Sequence, residues 1–168
     1  MLFHISEEPD IQRFEPRVPP NGGNPVVWAI DDAHLHHYLV PRECPRVTFY
    51  AGPETTEADT TRFLGASPAV IALEGEWLDA LRSCRLYCYC FSPETFECID
   101  DCAGYFISHV AVMPIEVRTI SDPMNEILAR GVELRFLPTL WELREAVIAS
   151  SLRFSIIRMR NARQRASD

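Results

Sequence analysis

The sequence contains no lysine, so all 16 of its basic side chains are arginines. With 24 acidic residues the net charge is −8, which disfavours nucleic acid as a partner because phosphate binding depends on clustered cations. Five arginines nevertheless lie between 152 and 168. We interpret them as the basic end of a helix, with contact to RNA or an acidic protein as the alternative.

Membrane and export signals are missing as well. No apolar run approaches the ~20 residues that a membrane span needs, and the N-terminus lacks the basic and apolar regions of a secretory signal. We therefore expect a cytoplasmic protein without a membrane partner. The sequence has neither G-x-G-x-x-G nor G-K-[ST], which disfavours a hydride-transfer enzyme of the Rossmann type and a P-loop enzyme.

Short runs of β-branched or aromatic residues, or of alternating apolar and polar residues, predict strands. They are interspersed irregularly with short helical patterns, which predicts the α+β class. We expect a single domain over 1–161 with a mixed, largely antiparallel split β-sheet, short flanking helices and a longer C-terminal helix from about Thr139 to Asn161. A flexible basic tail should follow over 162–168. The run "VPPNGGNP" (18–25) cannot form a helix or a central strand, so we predict a mobile loop at the rim of a cleft.

The six cysteines are expected to be reduced thiols that mostly pack in the core. On a strand, Cys84, Cys88 and Cys90 project to one face, and Cys98 and Cys102 follow a turn. A four-thiolate metal site is the alternative, although the spacings are C-x-C and C-x3-C and not the C-x2-C of structural zinc. We predict no bound metal.

The segment "HLHHY" offers a second set of metal-ligand side chains. On a helix, His34 and His37 share a face and His36 points elsewhere. Two histidines can begin a metal site, but we favour a polar helix surface with Leu35, Tyr38 and Leu39 turned inward, after an N-cap at Asp31 or Asp32.

The first predicted strand, Leu2–Ser6, carries a histidine. His4 shares a strand face with Leu2 and Ser6, and both His4 and Ser6 can hydrogen-bond a ligand hydroxyl or amide. The alternative is a structural histidine that is bonded within the core.

Most of the chain resembles an uncharacterised bacterial family of small proteins known as a domain of unknown function. The resemblance lies in "LFHISEEPDIQRFEPR", "VVWAIDDAHLHHYLVPRECPRVTFYAG", "AGYFISHVAVMPI" and "LWELREAV". It implies no activity.

The order of segments is also similar to the ADP-ribosyltransferase-like fold, which includes NAD-using RNA 2′-phosphotransferases. The resemblance lies in His4 and Ser6, in "VVWAI" followed by "DDAHLHHYL", and in "YFISHVAVMPIEV". It implies that His4 contacts the ribose of NAD and that Trp28 or Tyr38 flanks the nicotinamide. The sequence departs from the pattern at the third motif, where Ser108 and His109 replace a glutamate and Glu116 lies several residues later.

Our leading hypothesis is therefore an NAD- or nucleotide-binding, ADP-ribosyltransferase-like enzyme, with NAD as the candidate cofactor. The alternatives are a non-catalytic ligand-binding or protein-interaction domain of the same fold, and a metal- or thiol-based module. We expect His4, Ser6, Trp28, Tyr105 and His109 to border one cleft. The candidate catalytic residues are His4 and His109, the candidate cofactor-binding residues are Ser6, Arg17, Trp28, Tyr38, Tyr105 and Ser108, and the candidate phosphate-binding cations are Arg17, Arg42 and Arg46.

Overall fold

The computed structural model describes residues 1–19 and 22–165, which divide into two compact units. The first unit consists of Met1–Tyr38 and Arg85–Ser121, and the second of Leu39–Cys84 and the described residues of Asp122–Asp168. Each unit is built from two separate segments of the chain. A single linker between the units is therefore not visible in the sequence. The α+β class and the largely antiparallel pairing are confirmed.

The strands and helices of the described residues are short. The strands are β1 (Leu2–Ser6), β2 (Val27–Ile30), β3 (Arg46–Tyr50), β4 (Ala69–Glu74), β5 (Leu86–Phe91), β6 (Glu97–Asp100), β7 (Tyr105–Ser108), β8 (Glu116–Ile120), β9 (Glu133–Leu137) and β10 (Arg153–Ile157). The α-helices are α1 (Glu57–Asp59), α2 (Leu78–Ser83), α3 (Pro123–Ala129) and α4 (Trp141–Ile148). None of the described helices is long and apolar enough to cross a membrane.

The described part of the first unit forms a six-stranded antiparallel sheet in the order β6-β7-β2-β1-β5-β8. Its two faces follow from the alternation of side chains along each strand. The Tyr89 face carries Leu2, Tyr89 and Phe91, which form one core cluster with side chains such as Phe14. The opposite Cys88 face carries its own cluster, which contains Phe3, Ile30, Leu35, Cys88 and Cys90.

The described part of the second unit contains a four-stranded sheet in the order β10-β3-β4-β9, in which only β4 and β9 run parallel. Val47 and Phe49 of β3 pack with Val70 of β4 and with Val147 of α4. The α3 helix begins at a local sequence signal, the Asp122-Pro123 pair. The Asp122 side chain accepts a hydrogen bond from the Asn125 amide, and a proline occupies the first turn.

The C-terminal helix is shorter than predicted, because α4 ends at Ile148 and the chain then forms β10. The side chain of Asp59 accepts hydrogen bonds from the amide and hydroxyl of Ser151 at 2.8 and 2.6 Å, which fixes the chain after the helix. The following residues pair with β3 along its whole length. The expected helix to Asn161 is therefore wrong beyond Ile148.

The predicted flexible tail and the predicted mobile loop are described only in part. Residues 166–168 lie outside the described residues, whereas the Arg163 amide donates to the buried Glu74 carboxylate at 3.0 Å. The Arg163 carbonyl accepts a 2.7 Å hydrogen bond from the Trp141 indole. In the loop over 18–25, residues 20 and 21 lie outside the described residues, and paired amides and carbonyls of Arg17 and Val26 close its base.

Candidate functional site

Three aromatic side chains form a cluster on the Cys88 face of the first unit. Trp28 lies on the central strand β2. The centroid of its ring is 5.9 Å from the centroid of the Tyr105 ring, in an edge-to-face arrangement. Tyr38 contacts Tyr105 at 6.4 Å from the end of a 3₁₀ turn over Leu35–Tyr38. We call Trp28, Tyr38 and Tyr105 the aromatic cluster. Its most accessible member is Trp28, with 39% of its surface exposed.

The register of two strands explains this arrangement. Ile30 of β2 pairs with Tyr105 of β7, so Trp28, two residues before Ile30, is a diagonal neighbour of Tyr105 on the same face. The sequence predicts three candidate ligand-binding rings at these positions, and the structure brings the three together.

A carboxylate–histidine pair lies next to this cluster. The Oδ1 atom of Asp31 is 2.7 Å from His34 Nδ1 and also accepts the His34 backbone amide at 2.8 Å. The side chains of His34 and Asp31 are 14% and 32% exposed, so the pair is sheltered but accessible. The sequence predicts Asp31 or Asp32 as a helix N-cap and His34 as a metal ligand or a surface residue, but it does not predict that Asp31 and His34 pair. The D-x-x-H spacing was the available signal, because residues three apart share a turn.

A glycine lets the backbone approach the pair closely. The Asp31 amide donates to the Gly104 carbonyl at 3.1 Å. A Cβ on Gly104 would lie 2.3 Å from His34 Nδ1 and 2.7 Å from Asp31 Oδ1, and Gly104 has a φ of +69°. Both facts require glycine here. Gly104 immediately precedes Tyr105, so the Asp31–His34 pair lies beside the backbone one residue before the central ring of the aromatic cluster.

The other two histidines of this turn are buried, so the predicted polar helix surface is wrong. His36 is 5% exposed and His37 is fully buried. The His37 ring lies 4.5 Å from the His36 ring and 5.5 Å from the His34 ring. Leu35 turns inward as predicted. Within the described part of the chain no group of three or more His, Cys, Asp or Glu residues is arranged to hold a metal ion.

His4 lies on the opposite face of the sheet from the aromatic cluster. Its register partner on β5 is Tyr89, and its ring packs on Phe14 at a centroid distance of 4.9 Å. Its Nδ1 donates to the backbone carbonyl of Trp28 at 3.0 Å. The Ser6 hydroxyl, on the same face, accepts the Glu8 amide at 3.0 Å.

The expected single cleft is therefore wrong. His4 and Ser6 project from the Tyr89 face, whereas Trp28 and Tyr105 project from the Cys88 face. His109 follows the end of β7 and is 3.2 Å from Glu97 in an exposed pair. The cause is the period of two along β2, because Trp28 alternates with Ala29, which belongs to the core cluster of the Tyr89 face.

The remaining predicted site residues lie apart from the aromatic cluster. Ser108 is fully buried on the Tyr89 side, where its hydroxyl lies 3.2 Å from the Thr95 hydroxyl and 3.2 Å from the Val110 carbonyl. Arg17 is exposed at the base of the 18–25 loop. Glu116, the displaced acid, is exposed on the edge strand β8.

Two further candidate cations belong to the second unit. Arg42 is exposed. Arg46 is only 2% exposed, within β3, and donates to the Cys44 carbonyl at 2.9 Å. The prediction of Arg46 as a loop cation for phosphate is therefore wrong, since its guanidinium is held inside the unit.

The cysteines follow the predicted alternation on β5. Cys88 and Cys90 are fully buried in the Cys88-face core, and Cys44 is fully buried in the second unit. Burial raises the pKa of Cys44 and of Cys88 to about 12 each, so neither thiol is a nucleophile at neutral pH. Cys98 is exposed on the edge strand β6.

Comparison with protein-family models identifies the family of this chain. The model of a family of unknown function, DUF6886, matches residues 3–162. The chain belongs to this family. Neither the curated proteins nor the solved structures contain a match. The DUF6886 match thus covers β1 except for its first residue and all of β2 through β10, including the aromatic cluster and the Asp31–His34 pair.

Proposed function

We propose that the first unit of this DUF6886 protein binds a nucleotide, NAD included, by stacking its heterocycle on the aromatic cluster. The observation that carries the proposal is the 39% exposure of Trp28 on a central strand of the sheet. An indole at such a position offers an apolar ring to a ligand, and the edge of Tyr105 supports it from the side.

The chemistry around the ring suits this ligand class. Stacking of a base on an aromatic side chain contributes about 1–3 kcal/mol and tolerates different bases. Small-molecule sites combine aromatic walls with a few polar groups, and here Asp31 and His34 supply polar atoms beside Tyr105. A nucleotide matches this arrangement, because its flat heterocycle can stack on the aromatic cluster and its polar sugar can hydrogen-bond with polar groups.

The proposal does not include ADP-ribosyl transfer. That reaction, as the resemblance implies it, needs the ribose contact of His4 and the ring contact of Trp28 at one NAD molecule. The two side chains lie on opposite faces of the sheet. A non-catalytic binding domain, the alternative that the sequence left open, uses the aromatic cluster alone.

Calorimetric titration of the full chain with NAD, AMP and ribose 5-phosphate tests the proposal. We expect NAD and AMP to bind and ribose 5-phosphate, which lacks a base, to bind far more weakly. Trp28→Ala should weaken binding about 5- to 150-fold, the equivalent of one lost base stack.

The matched control is Phe154→Ala, because Phe154 is an aromatic residue of the second unit with nearly the same exposure, 38%. It should leave the affinity unchanged. An equal loss in both variants, or no binding of either nucleotide to the wild type at millimolar concentration, contradicts the proposal.

A further inference from the structure

We propose that β8 is a dimerisation edge, at which it pairs antiparallel with β8 of a second copy of this chain. The six-stranded sheets of the two copies then form one continuous sheet. The inference does not rest on the proposed function, because it uses none of the residues of the aromatic cluster.

The outer side of β8 is exposed. Among the described residues β8 is the last strand of the six-stranded sheet, and it pairs with β5 on its inner side. Four of its five residues, from 116 to 119, are exposed. An edge of this kind presents a row of backbone amides and carbonyls to which another strand can pair. The edge is therefore accessible to a strand of another molecule.

Exposed apolar side chains lead into this strand. Met113, Ile115 and Val117, at alternate positions, are all exposed. The Ile115 amide donates to the Cys90 carbonyl of β5 at 2.9 Å, so the chain already lies along β5 at this point. Single exposed apolar residues are normal on a protein surface, whereas a run of them beside an accessible strand edge indicates a surface that another protein covers.

The charges of β8 identify a second copy as the partner. When two identical strands pair antiparallel, one residue lies on the two-fold axis and the residues on either side of it face each other. With Val117 on the axis, Glu116 faces the partner's Arg118, and Arg118 faces the partner's Glu116. Opposite charges directly across a strand pair stabilise it. The sequence of β8 is therefore complementary to itself, at two places in one dimer.

The neighbouring registers lack this complementarity. With Glu116 or Arg118 on the axis, that residue faces its own counterpart, and like charges across a strand pair are destabilising. With Thr119 on the axis, Arg118 faces the partner's Ile120. Within its own chain, the Arg118 guanidinium lies 3.7 Å from the Cys88 sulfur and 5.7 Å from the centre of the Phe3 ring, and neither group is an anion. These contacts leave its charge to be balanced by the partner.

The opposite edge of the sheet is built differently. The edge strand β6 carries acidic residues at both of its ends, Glu97 and Asp100, and an irregularity between Cys98 and Asp100 interrupts its pairing with β7. Charges and bulges are features that protect an edge from pairing with another chain. Ile99 of β6 is 48% exposed and Val117 of β8 is 46% exposed, so the two edges offer a matched pair of positions.

Sedimentation of the full chain over a concentration series tests the proposal. We expect a reversible equilibrium between the 19.2 kDa monomer and a dimer that is populated at about 1 mM or below. Larger species should be absent, because a two-fold interface closes with two copies. Val117→Lys brings two like charges together at the axis and should abolish the dimer. Ile99→Lys is the matched control and should leave the dissociation constant unchanged.

Charge reversal tests the register. Glu116→Arg and Arg118→Glu should each weaken the dimer about 10-fold or more, because like charges then meet at two places. An equimolar mixture of these two variants should associate as the wild type does, since opposite charges face each other again in the mixed dimer. Circular dichroism verifies that each variant is folded.

Three results overturn the proposal. A wild type that remains monomeric throughout the series excludes a second copy as the occupant of this edge. Equal effects of Val117→Lys and Ile99→Lys would show that the dimer does not form at β8. A mixture of the charge-reversal variants that associates no better than either variant alone would contradict the pairing of Glu116 with Arg118. If Val117→Lys fails to fold, this mixture decides the outcome.

Discussion

Replacing His4 by alanine distinguishes a structural histidine from a ligand-binding one. The substitution removes the 3.0 Å hydrogen bond from Nδ1 to the Trp28 carbonyl and the ring contact with Phe14. The hydrogen bond contributes about 0.5–1.5 kcal/mol, and the ring contact adds about 0.5–1.5 kcal/mol. We therefore expect the free energy of unfolding to fall by about 1–3 kcal/mol.

Thermal and urea unfolding measure this loss. For a chain of this size, 1 kcal/mol corresponds to about 2–4 °C, so the melting temperature should fall by about 2–12 °C. His109→Ala is the matched control, because His109 is exposed and its contact with Glu97 is a surface pair. A surface substitution of this kind changes stability by about 0.5 kcal/mol or less.

Nucleotide binding gives the second measurement. His4 and Trp28 project from opposite faces of the sheet, so His4→Ala should leave the affinity for AMP unchanged under conditions in which the variant is folded. The reasoning is refuted if His4→Ala keeps the wild-type melting temperature and weakens nucleotide binding. The ligand would then contact His4, and the site would lie on the Tyr89 face.

Two further predictions concern buried polar groups. Tyr89→Phe removes a fully buried hydroxyl that donates to the Glu8 carbonyl at 2.7 Å and accepts the Ile11 amide at 3.1 Å, so urea unfolding should show a loss of about 1–3 kcal/mol; an unchanged midpoint would contradict it. At pH 8, Cys98 should react with iodoacetamide in the native protein, while Cys44, whose pKa burial raises from 9.0 to about 12, should react only after unfolding, as peptide mass spectrometry can show. Alkylation of native Cys44 as fast as Cys98 would show that the Cys44 thiol is not buried. As the pH rises, the Cys44 thiol ionises in the unfolded chain before it ionises in the folded one. The contribution of the buried thiol to stability is therefore complete below about pH 9 and is lost as the pH rises toward 12.

Local patterns in the sequence determined most of the elements. The alternation in Leu86–Phe91 placed Cys88 and Cys90 on one face of β5, and the Asp122-Pro123 pair marks the start of α3. Such signals are readable because strand alternation and helix capping depend on residues at most a few positions apart.

Pairing and burial between distant segments decided the rest. The local pattern predicted a helix to Asn161, but Arg153–Ile157 form strand β10 because they pair with β3. That pairing joins residues far apart in the sequence, so no local pattern shows it. His36 and His37 are buried, although the polar character of histidine suggested that they lie on the surface of a helix. His4 and Trp28, each correctly assigned to a strand, fell on opposite faces because the pairing of β1 with β2 sets which residues share a face. A local pattern fixes the period of a strand, but only its partners fix the register and therefore which side chains meet at a site.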